Sequence, residues 1–312
     1  MKPSPITHIG VLVSDLDESR RRWATVLGLL FSPVTRYRSA AWRDLSDPAP
    51  HLHDARLSFW LADNPSIEML EFVGRGTHSA ARGEGGHHLA FPPIPDNDAK
   101  RRELALLGIE IDGEIQQDGR TIFMFGAASP LNNVYTEWVE DGHDHPDYKD
   151  DGSPVNRLPD GSKTLFEVET ILDLGGRRPE SHMVEVGVNV HDLDESVTQW
   201  SAAIGYAFGP AVREDLPLYP GAAESPARRT RRSVLSSESG PRLRLVEIQE
   251  SGAREGLAYA DVAVPDLDTV HRHLEAAGVP VSGVVRGPAG QLTRVDVNPE
   301  YTNRFALGLI AE

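Results

Sequence analysis

The chain contains no cysteine. Disulfides, thiolate metal sites and cysteine nucleophiles are therefore excluded, and any metal has to be held by His, Asp or Glu. No stretch approaches the roughly 18 apolar residues of a membrane span. The opening MKPSPITHIG also lacks the uninterrupted apolar segment of a secretory signal, so the expectation is a cytoplasmic chain with no membrane partner. Positive charge is scarce: 31 Lys and Arg stand against 47 Asp and Glu, for a net charge of -16. Such an excess repels a phosphate backbone, so nucleic acid is not an expected partner. The longest basic run, ARRTRR at 227–232, reads as a solvated loop.

What the chain does have is a repeat. THIGVLVSDLDES at 7–19 returns as VEVGVNVHDLDES at 184–196, and two weaker copies of the same pattern begin at IPDNDAKRRELALLGI (94–109) and VPDLDTVHRHLEAAGV (264–279). Each copy is a short strand, an Asp-x-Asp turn and a helix ending near Gly. Asp caps a helix because its carboxylate accepts from the free amides of the first turn, and Gly tolerates the left-handed conformation beyond the last. Between the helices the pattern changes to strands, among them RLSFWLA (56–62), SIEMLEFV (66–73), TIFMFGAA (121–128), NVYTEWVE (133–140), RLRLVEIQ (242–249) and RFALGLIA (304–311). The predicted fold class is α+β: four βαβββ modules in two tandem domains. The first domain covers 1–145, with modules at 1–75 and 84–140, and the second covers 180–312. The stretch 146–179, rich in Asp, Gly and Pro, reads as a linker or excursion.

Strand alternation places every second side chain on one face. In the first strand Ile9, Val11 and Val13 form the apolar side under the helix, leaving His8, Gly10 and Leu12 on the other; in GGHHLAF, Leu89 and Phe91 face the helix and leave His88 with Ala90. The last strand of each unit carries a carboxylate, Glu68 in one and Glu137 in the other. A pseudo-twofold between the two units brings His8, Glu68, His88 and Glu137 to one concave sheet. Two imidazoles and two carboxylates suit one divalent ion such as zinc, nickel, cobalt or iron. By the same alternation His87 points away from His88, and Glu71, of opposite parity to Glu68, is structural. Trp42, Arg43, Phe59, Phe123, Phe125 and Trp138 could line a pocket, but strand aromatics are more often core.

HIGVLVSDLDES, SIEMLEFV, GGHHLAF and NNVYTEWVE resemble the ligand-bearing strands of the vicinal oxygen chelate superfamily, which contains glyoxalase I, methylmalonyl-CoA epimerase, extradiol dioxygenases and bleomycin or fosfomycin resistance proteins. The resemblance implies two tandem glyoxalase-like domains, with His8, Glu68, His88 and Glu137 as metal ligands. A ligand on all four strands implies the isomerase, epimerase or lyase side of the group. In that chemistry the substrate is a small hydroxy-carbonyl compound, the ion stabilises an enediolate, and Glu137 or Glu68 serves as base. The alternative is an Fe(II) extradiol dioxygenase. Such relatives use a two-His, one-carboxylate triad with nothing ligating at the Glu68 position, and they generally keep the metal in the second domain. The tail DGHDHPDY, with His143 and His145, is similar to an extension some of them carry, although it reads more readily as an exposed loop. A third reading is a protein that sequesters an antibiotic. A homodimer is compatible with all three.

The second domain aligns Glu185 with His8 and Tyr259 with His88, and its last-strand positions become Arg244 and Leu307. No set of two histidines and a carboxylate survives, so this half is not expected to hold a metal. Glu185 and Arg244 are expected to pair across the vestigial cleft.

Overall fold

The computed structural model describes residues 6–27, 31, 34–60, 66–117, 119–141, 167–170, 181–216, 228–235, 240–248 and 254–312. His143 and His145 lie outside them. Four βαβββ modules follow one another. The first is β1 (His8–Val13), α1 (Leu16–Leu27), β2 (Val34–Asp44), β3 (Asp47–Phe59) and β4 (Ser66–Glu71). The second is β5 (Gly85–Ala90), α2 (Asn97–Leu106), β6 (Ile111–Gln117), β7 (Arg120–Gly126) and β8 (Tyr135–Val139). After β9 (Glu167–Thr170) come β10 (His182–Val190), α3 (Leu193–Ile204), β11 (Val212–Leu216), β12 (Arg228–Leu235) and β13 (Arg242–Glu247). The last module is β14 (Gly256–Val264), α4 (Leu267–Ala276), β15 (Val281–Arg286), β16 (Leu292–Val297) and β17 (Ala306–Ala311).

The helices start where their Asp residues dictate. Asp15, Asp96, Asp192 and Asp266 each accept from the amide three residues on, at 2.8–3.0 Å. Gly108, Gly205 and Gly278 follow three of the helices with φ of 73°, 71° and 70°.

The first sheet runs β3-β4-β1-β5-β8-β7-β6-β2-β9, and β2 also pairs with β3, so the ring of strands closes on itself. The second sheet, β11-β12-β13-β10-β14-β17-β16-β15, repeats the arrangement without that closure among the described residues. In both, the first strand of a module runs parallel to its last, and the two modules meet antiparallel at β1–β5 and β10–β14. The helix side of β1 is buried as the alternation requires. Ile9, Val11 and Val13 join Leu16 and Trp23 in a core that continues through Val186, Trp200 and Leu309 of the second half. Inside the first ring a separate apolar cluster forms from Leu12, Trp42, Leu57, Ile115, Phe123 and Phe125.

The halves are joined by a matched pair of polar contacts. Asn303 accepts from Trp23 Nε1 at 2.9 Å and donates to Ser19 Oγ at 3.0 Å. Asn132 accepts from Trp200 Nε1 at 3.0 Å and donates to Ser196 Oγ at 3.0 Å. Both asparagines have a φ of 54°, a left-handed conformation that Asn tolerates better than most residues.

Three sequence expectations change here. The ARRTRR run is not a loop. From Arg228 it forms β12, held between β11 and β13, because ladder pairing on both sides outweighs the run's polarity. The strand expected at 56–62 begins at Asp47 and forms a long hairpin with β2. Within the expected linker, Glu167–Thr170 pairs with β2 as a strand.

Candidate metal centre

The central strands β4-β1-β5-β8 carry the four singled-out residues. Gly10 of β1 lies opposite Glu68 on one side and His88 on the other, while Ala90, the partner of His8, lies opposite Glu137. Gly10 makes the arrangement possible: a Cβ there would lie 1.9 Å from His88 Cε1, so the imidazole rests on bare backbone.

His88 Nε2 stands 3.1 Å from Glu68 Oε2, 3.2 Å from Glu137 Oε2 and 3.3 Å from His8 Nε2. His8 Nε2 stands 3.8 Å from Glu68 Oε2 and 3.4 Å from Glu137 Oε2. Four donors placed tetrahedrally around one ion at about 2.0–2.2 Å are separated by about 3.3–3.6 Å. The observed spacings bracket that range, and two carboxylates balance a divalent charge, so the residues fit the ion. Without an ion the charges settle among the side chains. Burial opposes protonation of His88, but Glu137 and Glu68 outweigh it and push the imidazole up to about 9. Burial alone would raise Glu137; His8 and His88 instead hold it well below the usual carboxylate range.

Beside Glu68 and Glu137 a small cavity opens inside the ring, lined by Trp42, His53, Leu57, Leu70, His78, Phe123 and Phe125. None of these is Lys or Arg. Trp42, Phe123 and Phe125 are thus cavity wall as well as core, a correction to the core-only preference, because a closed ring turns the concave face of every strand inward. Trp138 keeps the core role on the helix side, where it stacks on Phe91 at 4.6 Å. Glu71 is structural as expected, accepting from Leu16 N and Arg56.

His53 and His78 are functional candidates that sequence reasoning missed. Burial lowers His53 to about 4 and His78 well below its ordinary value, so both are neutral near pH 7. His78 is 3% exposed, and neither of its ring nitrogens has a partner among the described residues. His53 was within reach of sequence analysis, since it alternates with the buried Ala55 and Leu57. His78 sits in the GTHS turn, where no periodicity reports orientation.

His87 requires another correction. It does not point away from His88: the β1–β5 register jumps from Gly10–His88 to Val11–Gly86, so His87 is the extra residue of a β-bulge. Both rings therefore lie on the concave side, with Nδ1 atoms 2.9 Å apart. Burial and the neighbouring His88 hold His87 well below its ordinary value.

In the second sheet Gly187 lies opposite Arg244 and Tyr259, at the Glu68 and His88 positions. The expected Glu185–Arg244 pair forms at 2.7 Å, and Tyr259 donates to the same carboxylate at 3.0 Å. Leu307, however, is not the counterpart of Glu137. The register pairs Asp261 with Gly308 where the first sheet pairs Ala90 with Glu137, so the counterpart is Gly308 and the sequence alignment was one residue short. Arg294 and Asp261 occupy the space above Gly308. A cleft of about 710 Å³ lies at the seam of the two halves, bordered by Arg82, His87, Tyr135, His191 and Arg254 and by none of the four donors.

No helix among the described residues is long and apolar enough to cross a membrane. No curated protein matches the chain in sequence. Residues 7–125 match the family described as the glyoxalase/bleomycin resistance protein/dioxygenase superfamily. Among solved structures, a mutant of 4-hydroxymandelate synthase from Streptomyces coelicolor is 16% identical with a TM-score of 0.60, over 99% of this chain and 92% of that one. A catechol 2,3-dioxygenase is 11% identical with a TM-score of 0.50, over 99% and 94%. A xylose isomerase-like TIM barrel/4-hydroxyphenylpyruvate dioxygenase fusion protein is 15% identical with a TM-score of 0.54, over all of this chain and 50% of that one. At these identities the likeness is one of fold. Residues 7–125 are therefore similar to the glyoxalase/bleomycin resistance protein/dioxygenase superfamily, the vicinal oxygen chelate group, and the whole chain shares the fold of 4-hydroxymandelate synthase.

Proposed function

We propose that the protein is a divalent-metal-dependent isomerase, epimerase or lyase acting on a small hydroxy-carbonyl compound, with His8, Glu68, His88 and Glu137 holding the ion. The observation that carries this reading is the convergence of four donors, one from each central strand, including a buried carboxylate at the Glu68 position. A bound ion would polarise the substrate's carbonyl and make the adjacent C–H acidic. Glu137, once released from the ion, is the candidate to accept that proton and return it at the neighbouring carbon or the opposite face. Glu68 is the other candidate base. The cavity has an aromatic wall, and the neutral His78 offers an uncommitted donor or acceptor to a polar atom of the substrate.

The second reading, ring cleavage of a catechol by Fe(II), is favoured by one feature, the aromatic wall beside the donors. A catechol 2,3-dioxygenase also shares the tandem fold. Two assays separate the readings. Protein purified without added metal is analysed for its ion, then tested on a hydroxy-ketone panel in deuterated water and on catechols with an oxygen electrode. The proposal expects metal-dependent deuterium incorporation under anaerobic conditions. Oxygen uptake with a catechol would overturn it.

A further inference from the structure

We infer that His87 is a positioning residue that fixes the tautomer and the ring orientation of His88, so that Nε2 of His88 is the nitrogen presented to an ion. The inference rests on the reading of His88 as a metal donor.

The relay of hydrogen bonds begins at a carbonyl. His87 Nε2 lies 3.0 Å from Thr77 O, which can only accept, so the proton of a neutral His87 is on Nε2. Thr77 is itself anchored, its hydroxyl donating to Asp112 O at 2.8 Å. Nδ1 of His87 then has only a lone pair, and it faces Nδ1 of His88 at 2.9 Å. Two nitrogens at that distance need one proton between them, and His88 must supply it. With Nδ1–H committed, His88 turns Nε2 to His8, Glu68 and Glu137. Packing holds the ring in place: His87 is 4% exposed, stacks on Tyr135 at 4.6 Å and meets Phe125 edge-on.

The second copy supplies an internal comparison. The same bulge recurs there, the register jumping from Gly187–Tyr259 to Val188–Leu257, so the bulged residue is Ala258. Where the ligand position is Tyr259 instead of His88, the residue behind it has no hydrogen-bonding side chain. The bulge belongs to the fold, whereas an imidazole on it occurs only beside the donor set. Hydrogen bonds to the far nitrogen of a ligating histidine typically contribute 10–100-fold in metal affinity.

The test uses Zn(II) alone, titrated against a chromophoric chelator, on the full chain. His88→Ala is expected to abolish stoichiometric binding. If it binds like the wild type, the donor reading itself fails. His87→Phe is expected to weaken zinc 10–100-fold. His87→Asn, whose amide oxygen can take the Nδ1 position, is expected to recover most of that loss. If His87→Phe binds within twofold of the wild type while His88→Ala does not bind, the inference is overturned and the donor reading stands. Should His87→Phe fail to fold, nitrogen NMR of the zinc-loaded wild type decides. A protonated Nδ1 on His88 with a bare Nδ1 on His87 is expected; a bare Nδ1 on His88 overturns the inference.

Discussion

Replacing Gly10 with Ala tests how the site is built. The added Cβ would fall 1.9 Å from Cε1, 2.2 Å from Nδ1 and 2.4 Å from Nε2 of His88. Ordinary contact requires about 3.5 Å, so the imidazole has to retreat by about 1.5 Å. Gly10 cannot move instead, because β1 is hydrogen-bonded to β4 on one side and β5 on the other. The overpacking should cost about 1–3 kcal/mol of stability, and displacing a donor this far should weaken zinc binding about 10–100-fold. The second copy holds a built-in control. At Gly187 a Cβ would lie 1.8 Å from Tyr259 Cε1, so Gly187→Ala meets the same obstruction in a sheet whose cleft is filled by Glu185 and Arg244. Both variants should unfold at lower urea concentration by similar amounts, while only Gly10→Ala loses zinc affinity in a chelator competition. Wild-type zinc affinity in Gly10→Ala, or an equal loss in both, would show that His88 does not need the bare backbone of Gly10 to hold an ion.

Three further outcomes are expected. Asn303→Ala and Asn132→Ala each strand a buried Trp N–H and place Ala at a φ of 54°. Each should therefore lose about 3 kcal/mol in urea unfolding, and a change within about 0.5 kcal/mol would contradict the pairing of the halves. His53 is lowered to about 4, and His78 and His87 also sit below their ordinary value, so the unfolded chain binds more protons than the folded one below about pH 6.5. The contribution of these three histidines should be fully present above that pH and fall as pH drops toward 4, His53 alone accounting for about 3 kcal/mol, and a urea midpoint unchanged between about pH 7 and 5 would contradict this. His88 behaves oppositely: pushed up to about 9 in the metal-free protein, it must release its proton to an ion. Zinc affinity measured between about pH 7 and 9 should rise about tenfold per pH unit, and no rise would show that His88 is not displaced from its proton.

The legible part of the site was the part governed by alternation. The convergence of His8, Glu68, His88 and Glu137 was legible because a strand shows every second residue to one face and a duplicated module repeats that display. His87 escaped because a bulge breaks the alternation without leaving a mark in the sequence. The Gly308 error has a related origin. It came from aligning strand patterns, and only the ladder between β14 and β17 sets which residue stands opposite Asp261. His78 was hidden in a turn, where side-chain direction depends on packing against Trp42 and Phe125 rather than on any period.

The fourfold βαβββ order, the Asp caps, the helix-facing apolar stripe and the loss of donors in the second copy can all be read from the order of residues, because they follow from local conformational preference and from period. The closure of the first sheet into a ring, with its aromatics walling a cavity beside the donors, emerges only on folding. So do the bulge that sets a second imidazole behind His88 and the two asparagines that tie the halves together. Those features depend on contacts between residues far apart in the chain, whose register and closure arise when the strands pair.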